Sequence, residues 1–289
     1  IWNDMNEPAS FNGPLPDDVQ FEYGAHEKVH NIYGHFMAKA TYEGLAKNDG
    51  GKRPFVLTRA AYAGSQKYCG GWTGDNHSIW AHIALSLEQV CNLSVSGLAM
   101  CGSDIGGFGS DTTPELLVRF YEAAVFEPWQ FDETTIDAVR KTVKLRYRFI
   151  PYIYDLAHEC EKTGAPIVRP LVYEYPADKH VRNISDEYML GSFVLVAPVI
   201  APGKEAREVY LPDGDWYDYY TGEKYSGGRY ILADAPLDKV PVFIKAGAII
   251  PVADGEIRST EDITEDKISI LTYPGKGSFV HYQDDNETF

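Results

Sequence analysis

The first 175 residues alternate between short apolar runs and longer segments with helical periodicity. The apolar runs are typical of buried strands and lie at 53–58, 93–100 and 166–175. Between them, apolar side chains recur every three or four residues, as with Ile32, Phe36 and Ala40, which predicts amphipathic helices. This strand–helix–strand rhythm predicts a parallel sheet, because the crossover connections of such units are right-handed.

From about residue 185 the pattern changes to that of short β-strands. Runs such as FVLVAPVI, REVYLP and GRYILAD are separated by turns containing Pro-Asp-Gly, Thr-Gly-Glu and Ser-Gly-Gly. Closely spaced strands with such turns are typical of an antiparallel β-sandwich. We therefore predict an α/β region over 1–184, a β-sandwich over 185–255, and the start of a further β domain over 256–289.

The composition narrows the class of protein. The sequence has 42 acidic and 26 basic residues, a net charge of -16 and 44% hydrophobic residues. The hydrophobic share fits a globular core and excludes intrinsic disorder. No apolar run reaches the roughly 20 residues that span a bilayer, and like charges would repel nucleic acid or an anionic membrane. The 20 Tyr, 13 Phe and 5 Trp offer flat faces of the kind that sugars use, although core packing needs the same residues.

The cysteines and the chain ends bear on the cellular compartment. Cys69, Cys91, Cys101 and Cys160 show neither CxxC spacing nor the density of a disulfide scaffold, so free thiols and a reducing cytoplasm are preferred. The chain begins with IWNDMNEPASF, without a start methionine or a signal-peptide pattern, and ends within a strand-like segment. We therefore expect both ends to be cut from a longer protein, whose upstream sequence would decide the localisation.

Carboxylates cluster at three predicted strand ends, where an α/β barrel gathers its chemistry. Asp4 and Glu7 follow the apolar start of the chain, Asp75 lies in GWTGDN, and Asp104 closely follows LSVSGLAMC. Glycosidases need two such groups: one attacks the anomeric carbon or activates water, and the other protonates the leaving oxygen. Arg59, at the end of another predicted strand, would keep one carboxylate ionised while another stays protonated.

Several of these features also have a plainer interpretation. A single aspartate after a strand usually caps a helix or forms a turn, and Asp75 fits an N-cap of the next helix. His26, His30 and His35 lack HExxH spacing, so a structural role is preferred to a metal site. The segment GSDIGGFG lacks GxGxxG spacing and a following Lys-Ser or Lys-Thr, which argues against a phosphate loop. We predict neither a metal nor a cofactor.

Taken together, the motifs resemble those of glycoside hydrolase family 31, the α-glucosidase family. WNDMNEP is similar to the family's nucleophile motif, FVLTRAAYAGSQKY to its next strand and arginine, WTGDN to its acid/base motif, and GSDIGGF to its substrate-binding loop. Further similarity, in RYRFIPYIY, RPLVYEYP, VAPVIAPG and VPVFIKAGAIIP, extends over nearly the whole chain. The resemblance implies an α/β fold, with the second half of a (β/α)8 TIM barrel followed by antiparallel β-sandwich domains.

The resemblance also implies roles for individual residues. Asp4 would be the nucleophile of a retaining mechanism and Asp75 its general acid/base, with carboxyl groups about 5 to 5.5 Å apart. Glu7, three residues after the nucleophile, would support the site that holds the reacting sugar. The residues expected to contact the sugar are Trp2, Met5, Arg59, Trp72, Asp104 and Phe108. Met5 belongs to a Met-Asn pair that favours a glucoside, since relatives acting on α-xylosides tend to carry Phe-Gly or similar there.

One junction departs from the family pattern. Phe126 is followed directly by Glu127, whereas family members carry an intervening strand end and loop with an arginine and a histidine for the reacting sugar. By counting along the chain, their places fall on Phe131 and Glu133. We predict that a segment is missing between Phe126 and Glu127; a true deletion would weaken substrate binding.

The predicted function is that of a retaining exo-α-glucosidase, which removes α-1,4 or α-1,6 linked glucose from the non-reducing ends of oligosaccharides. Two alternatives stay open: an α-transglucosylase of the same family, or a catalytically silent sugar-binding protein if the arginine–histidine loop is deleted. The expected partner is an oligosaccharide, with no nucleic acid and no membrane. An upstream segment is expected to close the barrel, and a homo-oligomer is compatible with the sequence.

Overall fold

The computed structural model describes residues 1–8, 13, 15–123, 131–285 and 287–288. The strands of its N-terminal region are β1 (Trp2–Asn3), β2 (Gln20–Phe21), β3 (Gly24–Ala25), β4 (Leu57–Thr58), β5 (Gly70–Trp72) and β6 (Cys101–Gly102). Four of them form a parallel sheet in the order β1-β4-β5-β6, and β2 and β3 form a separate antiparallel hairpin. The predicted parallel sheet is confirmed, with shorter strands than the apolar runs indicated.

The described helices connect these strands and continue beyond them. They are α1 (His26–Val29), α2 (Tyr33–Asn48), α3 (Trp80–Val95), α4 (Pro114–Ala123), α5 (Glu133–Thr163) and α6 (Leu171–Glu174). The segment 93–100, predicted as a strand, is instead the end of α3 and a turn. Ile83, Leu87 and Cys91 are buried at four-residue spacing along α3. The prediction was wrong because a short apolar run fits a buried helix end as well as a buried strand.

Local side-chain bonds fix where helices α4 and α5 begin. The hydroxyl of Thr113, just before α4, accepts a hydrogen bond from the backbone N–H of Leu116 at 3.3 Å. Asp132 caps α5 in the same way by accepting from the N–H of Thr135 at 2.8 Å. Helix α5 ends at Gly164, whose φ of 76° is a left-handed conformation that glycine adopts without steric cost.

The second half of the chain is made of antiparallel sheets. Its strands are β7 (Val168–Pro170), β8 (Tyr188–Leu190), β9 (Val194–Val196), β10 (Ala206–Leu211), β11 (Asp215–Asp218), β12 (Lys224–Ser226), β13 (Arg229–Asp234), β14 (Val242–Lys245), β15 (Ile249–Ala253) and β16 (Ile268–Thr272). Six of them form a sheet in the order β12-β11-β14-β9-β8-β7, and β10 pairs with β13 and β15 with β16. The predicted antiparallel architecture is confirmed.

The six-stranded sheet begins earlier in the sequence than the predicted domain boundary. Its strand β7 lies ahead of residue 185 and pairs antiparallel with β8. The rest of the predicted strand 166–175 forms mainly α6, because the chain turns into a helix directly after Pro170. The division into 1–184, 185–255 and 256–289 stays a prediction.

Helices α4 and α5 join the two regions. Phe149 and Leu156 of α5 share a hydrophobic cluster with Val194 and Ile244 of the six-stranded sheet. The buried guanidinium of Arg119 in α4 donates hydrogen bonds to backbone oxygens of the second region, those of Lys204, Ala235 and Pro236. Both helices therefore pack against the antiparallel region. Among the described residues, no helix combines the length and apolar character needed to cross a bilayer.

Candidate active site

The charged side chains singled out in the sequence lie at one edge of the parallel sheet. Asp4 directly follows β1, Arg59 directly follows β4, and the loops after β5 and β6 carry Asp75 and Asp104. Because these strands are parallel and adjacent, their carboxyl ends meet at the same edge. Four loop tips that are far apart in sequence are thus brought into one site.

Arg59 is the centre of this site. Its Nε lies 2.5 Å from Oε1 of Glu7, and its Nη2 lies 3.3 Å from Oε2 of the same carboxylate, which makes a bidentate pair. Its Nη1 lies 3.1 Å from Oδ1 of Asp4 and 3.5 Å from Oδ2 of Asp75. Its Nη2 also contacts Sδ of Met5 at 3.0 Å. One guanidinium therefore joins three carboxylates from the loops after β1 and β5.

The shared nitrogen limits how far apart Asp4 and Asp75 can be. Both carboxylates approach Nη1 of Arg59, at 3.1 and 3.5 Å, so their two nearest oxygens cannot be separated by more than these distances together. That upper limit falls at the lower end of the roughly 6.5–9.5 Å found in inverting glycosidases. The limit therefore admits the roughly 5–5.5 Å of a retaining pair and almost none of the inverting range.

The electrostatics differ among the carboxylates. The hydrogen bond from Arg59 lowers the pKa of Glu7, against the opposing effect of burial. The same bond raises the pKa of Arg59. Burial raises the pKa of Asp104, and the nearby charges of Asp75 and Asp4 raise it further. The site thus holds one carboxylate strongly in its ionised form and another whose ionisation is opposed.

A buried asparagine ties the loop of Asp4 to strand β4. Asn6 is 1% exposed; its Nδ2 donates to Oγ1 of Thr58 at 2.9 Å, and its Oδ1 accepts from the backbone N–H of Ala60 at 3.2 Å. Between Asp4 and Asn6, Met5 has a φ of 54°, which is unusual for a residue with a side chain. Asn6 therefore holds a tight turn that places Asp4 beside Arg59.

The loop of Asp75 is tied to the loop after β6. Nδ2 of Asn76 donates to the backbone oxygen of Asp104 at 2.8 Å, and its Oδ1 accepts from the N–H of Phe108 at 3.2 Å. Oγ of Ser78 donates to the backbone oxygens of Gly106 and Ser110. Asn6, Asn76 and Ser78 were not predicted as site residues. The only feature in the sequence that points to them is that each lies close to a predicted carboxylate.

Aromatic side chains border the carboxylates. Trp2 is 62% exposed and its ring lies 5.4 Å from that of Trp72, tilted by 58°. Phe108 is 72% exposed. Exposed aromatic faces next to carboxylates suit a ligand that has both a hydroxyl-rich edge and an apolar ring face. The nine side chains predicted for the site therefore lie on four neighbouring loops and strand ends.

A cavity of about 680 Å³ lies next to this site. Trp2, Trp72 and Asp104 contribute to its lining, together with many apolar side chains of α3, α5 and the six-stranded sheet. Asp4 and Asp75 do not line it. The cavity is therefore mainly a space between the two regions of the chain, and the carboxylates stand outside it.

Two plainer interpretations of the sequence can be decided. Helix α3 begins after Ile79 and has no side-chain cap, so the N-cap alternative for Asp75 is wrong. His26 contacts the ring of His30 at 2.7 Å and the backbone oxygen of Leu15 at 3.1 Å, which agrees with a structural role. The junction of Phe126 and Glu127 lies outside the described residues.

Two family models match the chain. The TIM-barrel domain of glycosyl hydrolases family 31 matches residues 1–156, and the C-terminal domain of the same family matches residues 164–250. Both matches follow the order of the parallel and antiparallel regions. The expected combination of a barrel part and an antiparallel domain is therefore confirmed.

Individual relatives agree with this assignment. The chain is 41% identical to α-glucosidase 2 of Bacillus thermoamyloliquefaciens, over all of this chain and 40% of that protein. It is 38% identical to neutral α-glucosidase C of Homo sapiens, over all of this chain and 34% of that protein. A dextranase of Flavobacterium johnsoniae, solved with isomaltotriose, superposes with a TM-score of 0.90 at 31% identity, over 99% of this chain and 39% of its own. The chain spans two fifths or less of these relatives.

The first of these matches also bears on chain length. It extends over 313 residues, more than the 289 of this chain, so the Bacillus protein contains residues that have no counterpart here.

The barrel model alone covers more than half of the chain, and the strand order, the site and the relatives agree with it. The chain belongs to glycosyl hydrolase family 31.

Proposed function

We propose that this chain carries the catalytic carboxylates of a retaining exo-α-glucosidase, which removes terminal glucose from the non-reducing ends of α-linked oligosaccharides. The observation that carries the proposal is the approach of Asp4 and Asp75 to the same nitrogen of Arg59. The names of the relatives support an α-glucosidic substrate. The dextranase relative supports including α-1,6 linkages beside α-1,4.

In this mechanism Asp4 attacks the anomeric carbon and forms a glycosyl ester while the bond to the leaving oxygen breaks. Asp75 transfers its proton to that oxygen. Water, deprotonated by Asp75, then attacks the anomeric carbon and releases Asp4, so the configuration is retained. Arg59, whose Nη1 lies 3.1 Å from Oδ1 of Asp4, holds the attacking carboxylate in place.

The remaining predicted residues would bind the reacting sugar. Asp104 would accept hydrogen bonds from sugar hydroxyls, and its partly buried position supports a contact that excludes water. Trp72 and Phe108 would form walls against the ring, with Trp2 and Met5 beside them. Glu7 would act through Arg59, because its carboxylate binds that guanidinium in a bidentate manner.

The test is hydrolysis of an aryl α-glucoside by the wild-type protein and by Asp4→Ala. We expect Asp4→Ala to lose activity by a factor on the order of 10⁴ or more, as when other enzymes lose a nucleophile. Asp137→Ala is the matched control, since Asp137 is an exposed carboxylate of α5 paired with Arg140. NMR of the first glucose released should show the α-anomer.

Other outcomes would assign a different function. Dominant transfer products at high maltose or isomaltose would identify a transglucosylase instead of a hydrolase. Equal, background-level rates for the wild type and Asp4→Ala would reject an enzyme and leave a sugar-binding protein. In that case a missing loop at the junction of Phe126 and Glu127 would be the first explanation to examine by sequencing the gene.

A further inference from the structure

The loop that carries Asp75 has few anchors of its own. The Asp75 side chain is 50% exposed, and its contact with Arg59 is the longest of the three that this guanidinium makes with carboxylates. The backbone on both sides of Asp75 bonds to a neighbouring segment, residues 103–110 and the strand before it. Thr73 donates its N–H to the oxygen of Gly102 at 2.9 Å, and Ser78 donates its N–H to the oxygen of Gly109 at 2.9 Å.

The 103–110 loop is the fixed partner in this pair. Ile105 is buried and belongs to a hydrophobic cluster with Leu116 and Leu117 of α4. Gly106 approaches the Leu117 side chain so closely that an added Cβ would lie 2.9 Å from it. Because Ile105 and Gly106 pack against α4, this loop can serve as a support for the more exposed loop of Asp75.

Asn76, the residue after Asp75, makes the central connection. Its side chain bonds to the backbone of Asp104 and of Phe108, and its backbone oxygen accepts from the N–H groups of Phe108 and Gly109, both at 2.9 Å. The side-chain bonds reach residues 28 and 32 positions away in the sequence. Asn76 therefore links the backbone beside Asp75 to the fixed loop at two separate points.

We infer that Asn76 is a positioning residue for the general acid. It holds Asp75 against the 103–110 loop, where the proton of Asp75 can reach the leaving oxygen. Ser78, two residues further along the chain, gives a second connection through its bonds to Gly106 and Ser110. This inference rests on the proposed function. It concerns Asp75 and not Asp4, because the loop of Asp4 has its own anchor in Asn6 and Thr58.

The inference predicts a dependence on the leaving group. Protonation by a general acid matters most when the leaving oxygen is basic and little when the leaving group is a good one. Asn76→Ala should therefore lower kcat/KM by about 100-fold for phenyl α-glucoside or a disaccharide, within the usual contribution of a general acid. It should lower kcat/KM only a few-fold for dinitrophenyl α-glucoside. Loss of sugar binding alone would lower kcat/KM equally for both substrates.

The experiment measures kcat/KM for a series of aryl α-glucosides with the wild type, Asn76→Ala, Ser78→Ala and Asn48→Ala. Asn48 is the matched control, an exposed asparagine whose side chain donates within α2 to the oxygen of Gly44 at 2.7 Å. We expect a steeper leaving-group dependence for Asn76→Ala and a smaller steepening for Ser78→Ala. Thermal melting checks folding, and Ser78→Ala decides the question if Asn76→Ala does not fold.

A uniform loss across the series, or a loss confined to KM, would overturn the inference and assign Asn76 to sugar binding through Asp104 and Phe108. An unchanged slope in both variants would overturn it as well. These outcomes leave the proposed function intact as long as the wild type hydrolyses the series. A wild type without activity on every member would instead reject the proposed function and the inference with it.

Discussion

The two carboxylates of the proposed mechanism are held in different ways. Asp4 belongs to a unit held by charge, in which Arg59 binds Asp4 at 3.1 Å and Glu7 at 2.5 Å. Asp75 belongs to a unit held by neutral hydrogen bonds, which run from Asn76 and Ser78 to the backbone of the 103–110 loop. The units are joined where Arg59 approaches Asp75 at 3.5 Å.

This difference matches what each role requires. The nucleophile must be held at the anomeric carbon, and the contact with the guanidinium of Arg59 fixes the carboxylate of Asp4. A general acid must carry a proton and then release it, so a tight ion pair would oppose its first step. Bonds from Asn76 and Ser78 to the 103–110 loop fix the position of the Asp75 loop without a tight ion pair. The comparison therefore predicts that mutations in the two units have different consequences.

The largest effect in this comparison is expected from removing the charge that holds the first unit. Arg59→Ala leaves Asp4 and Glu7 without their guanidinium, and kcat/KM should fall by about 10²–10³-fold, as when a preorganised donor is removed from an active site. Arg59→Lys restores the charge but not the two-point contact with Glu7, so it should recover only part of the activity.

Steady-state kinetics with an aryl α-glucoside measures this difference, and Arg140→Ala, on the exposed surface of α5, is the control. Full activity of Arg59→Lys would contradict the argument, because it would mean that charge alone, without bidentate geometry, holds Asp4. Full activity of Arg59→Ala would remove the first unit from the comparison altogether.

The next effect is expected from the second unit, at Gly107. Its φ is 86°, and an added Cβ would lie 2.3 Å from the backbone nitrogen of Ser78. Gly107→Ala should therefore push the two loops apart, with about 1–3 kcal/mol lost from the free energy of unfolding through the backbone conformation alone. Activity on basic leaving groups should fall with it, because Asp75 loses its support.

Urea unfolding and the kinetic series above measure both effects. Gly44→Ala is the matched control, since Gly44 lies in α2 with open space around its Cβ position and alanine favours a helix. If Gly107→Ala were as stable and as active as Gly44→Ala, the close approach of the two loops would have no role in holding the acid.

The fold could be predicted from the sequence wherever periodicity was unambiguous. The switch to antiparallel strands after residue 185 and the parallel rhythm before it were both visible. Strand lengths were not, because apolar runs extend beyond the residues that pair, as in 53–58, where only Leu57 and Thr58 form a strand. The prediction of a strand at 93–100 was wrong because burial against neighbouring elements, and not the local pattern, decides between a helix end and a strand.

The position of strand ends predicts only the charged residues of the site, and the family resemblance adds Trp2, Met5, Trp72 and Phe108. Asp4, Arg59, Asp75 and Asp104 lie at strand ends, and the rule that parallel strands place their carboxyl ends together brings them into one place. Asn76 could not be predicted in this way, because the residues that it binds lie about 30 positions away and only the fold brings them close. Neutral anchors of this kind have no pattern of their own in a single sequence.

The smallest effect is expected on the melting temperature when a single carboxylate is replaced by its amide. This effect should have opposite signs in the two units. The pKa of Glu7 is lowered by its hydrogen bond from Arg59, so ionised Glu7 stabilises the folded protein and this contribution is lost as the pH falls below the ordinary value of 4.5. The pKa of Asp104 is raised by burial, then by Asp75 and Asp4, so its ionisation opposes folding as the pH rises through that pKa. At pH 7, Glu7→Gln should therefore lower Tm and Asp104→Asn should raise it.

Both changes should amount to a few degrees at most, because water screens partly exposed carboxylates. Both should also shrink towards pH 3, where the native carboxyl groups are increasingly protonated and resemble their amide replacements. Melting curves of the wild type and the two variants at pH 7 and pH 3 measure this, and each variant's own shift between the two pH values is its control. Shifts of Tm with the same sign in both variants at pH 7 would show that one electrostatic environment acts on both carboxylates. The distinction between a unit held by charge and a unit held by neutral bonds would then fail.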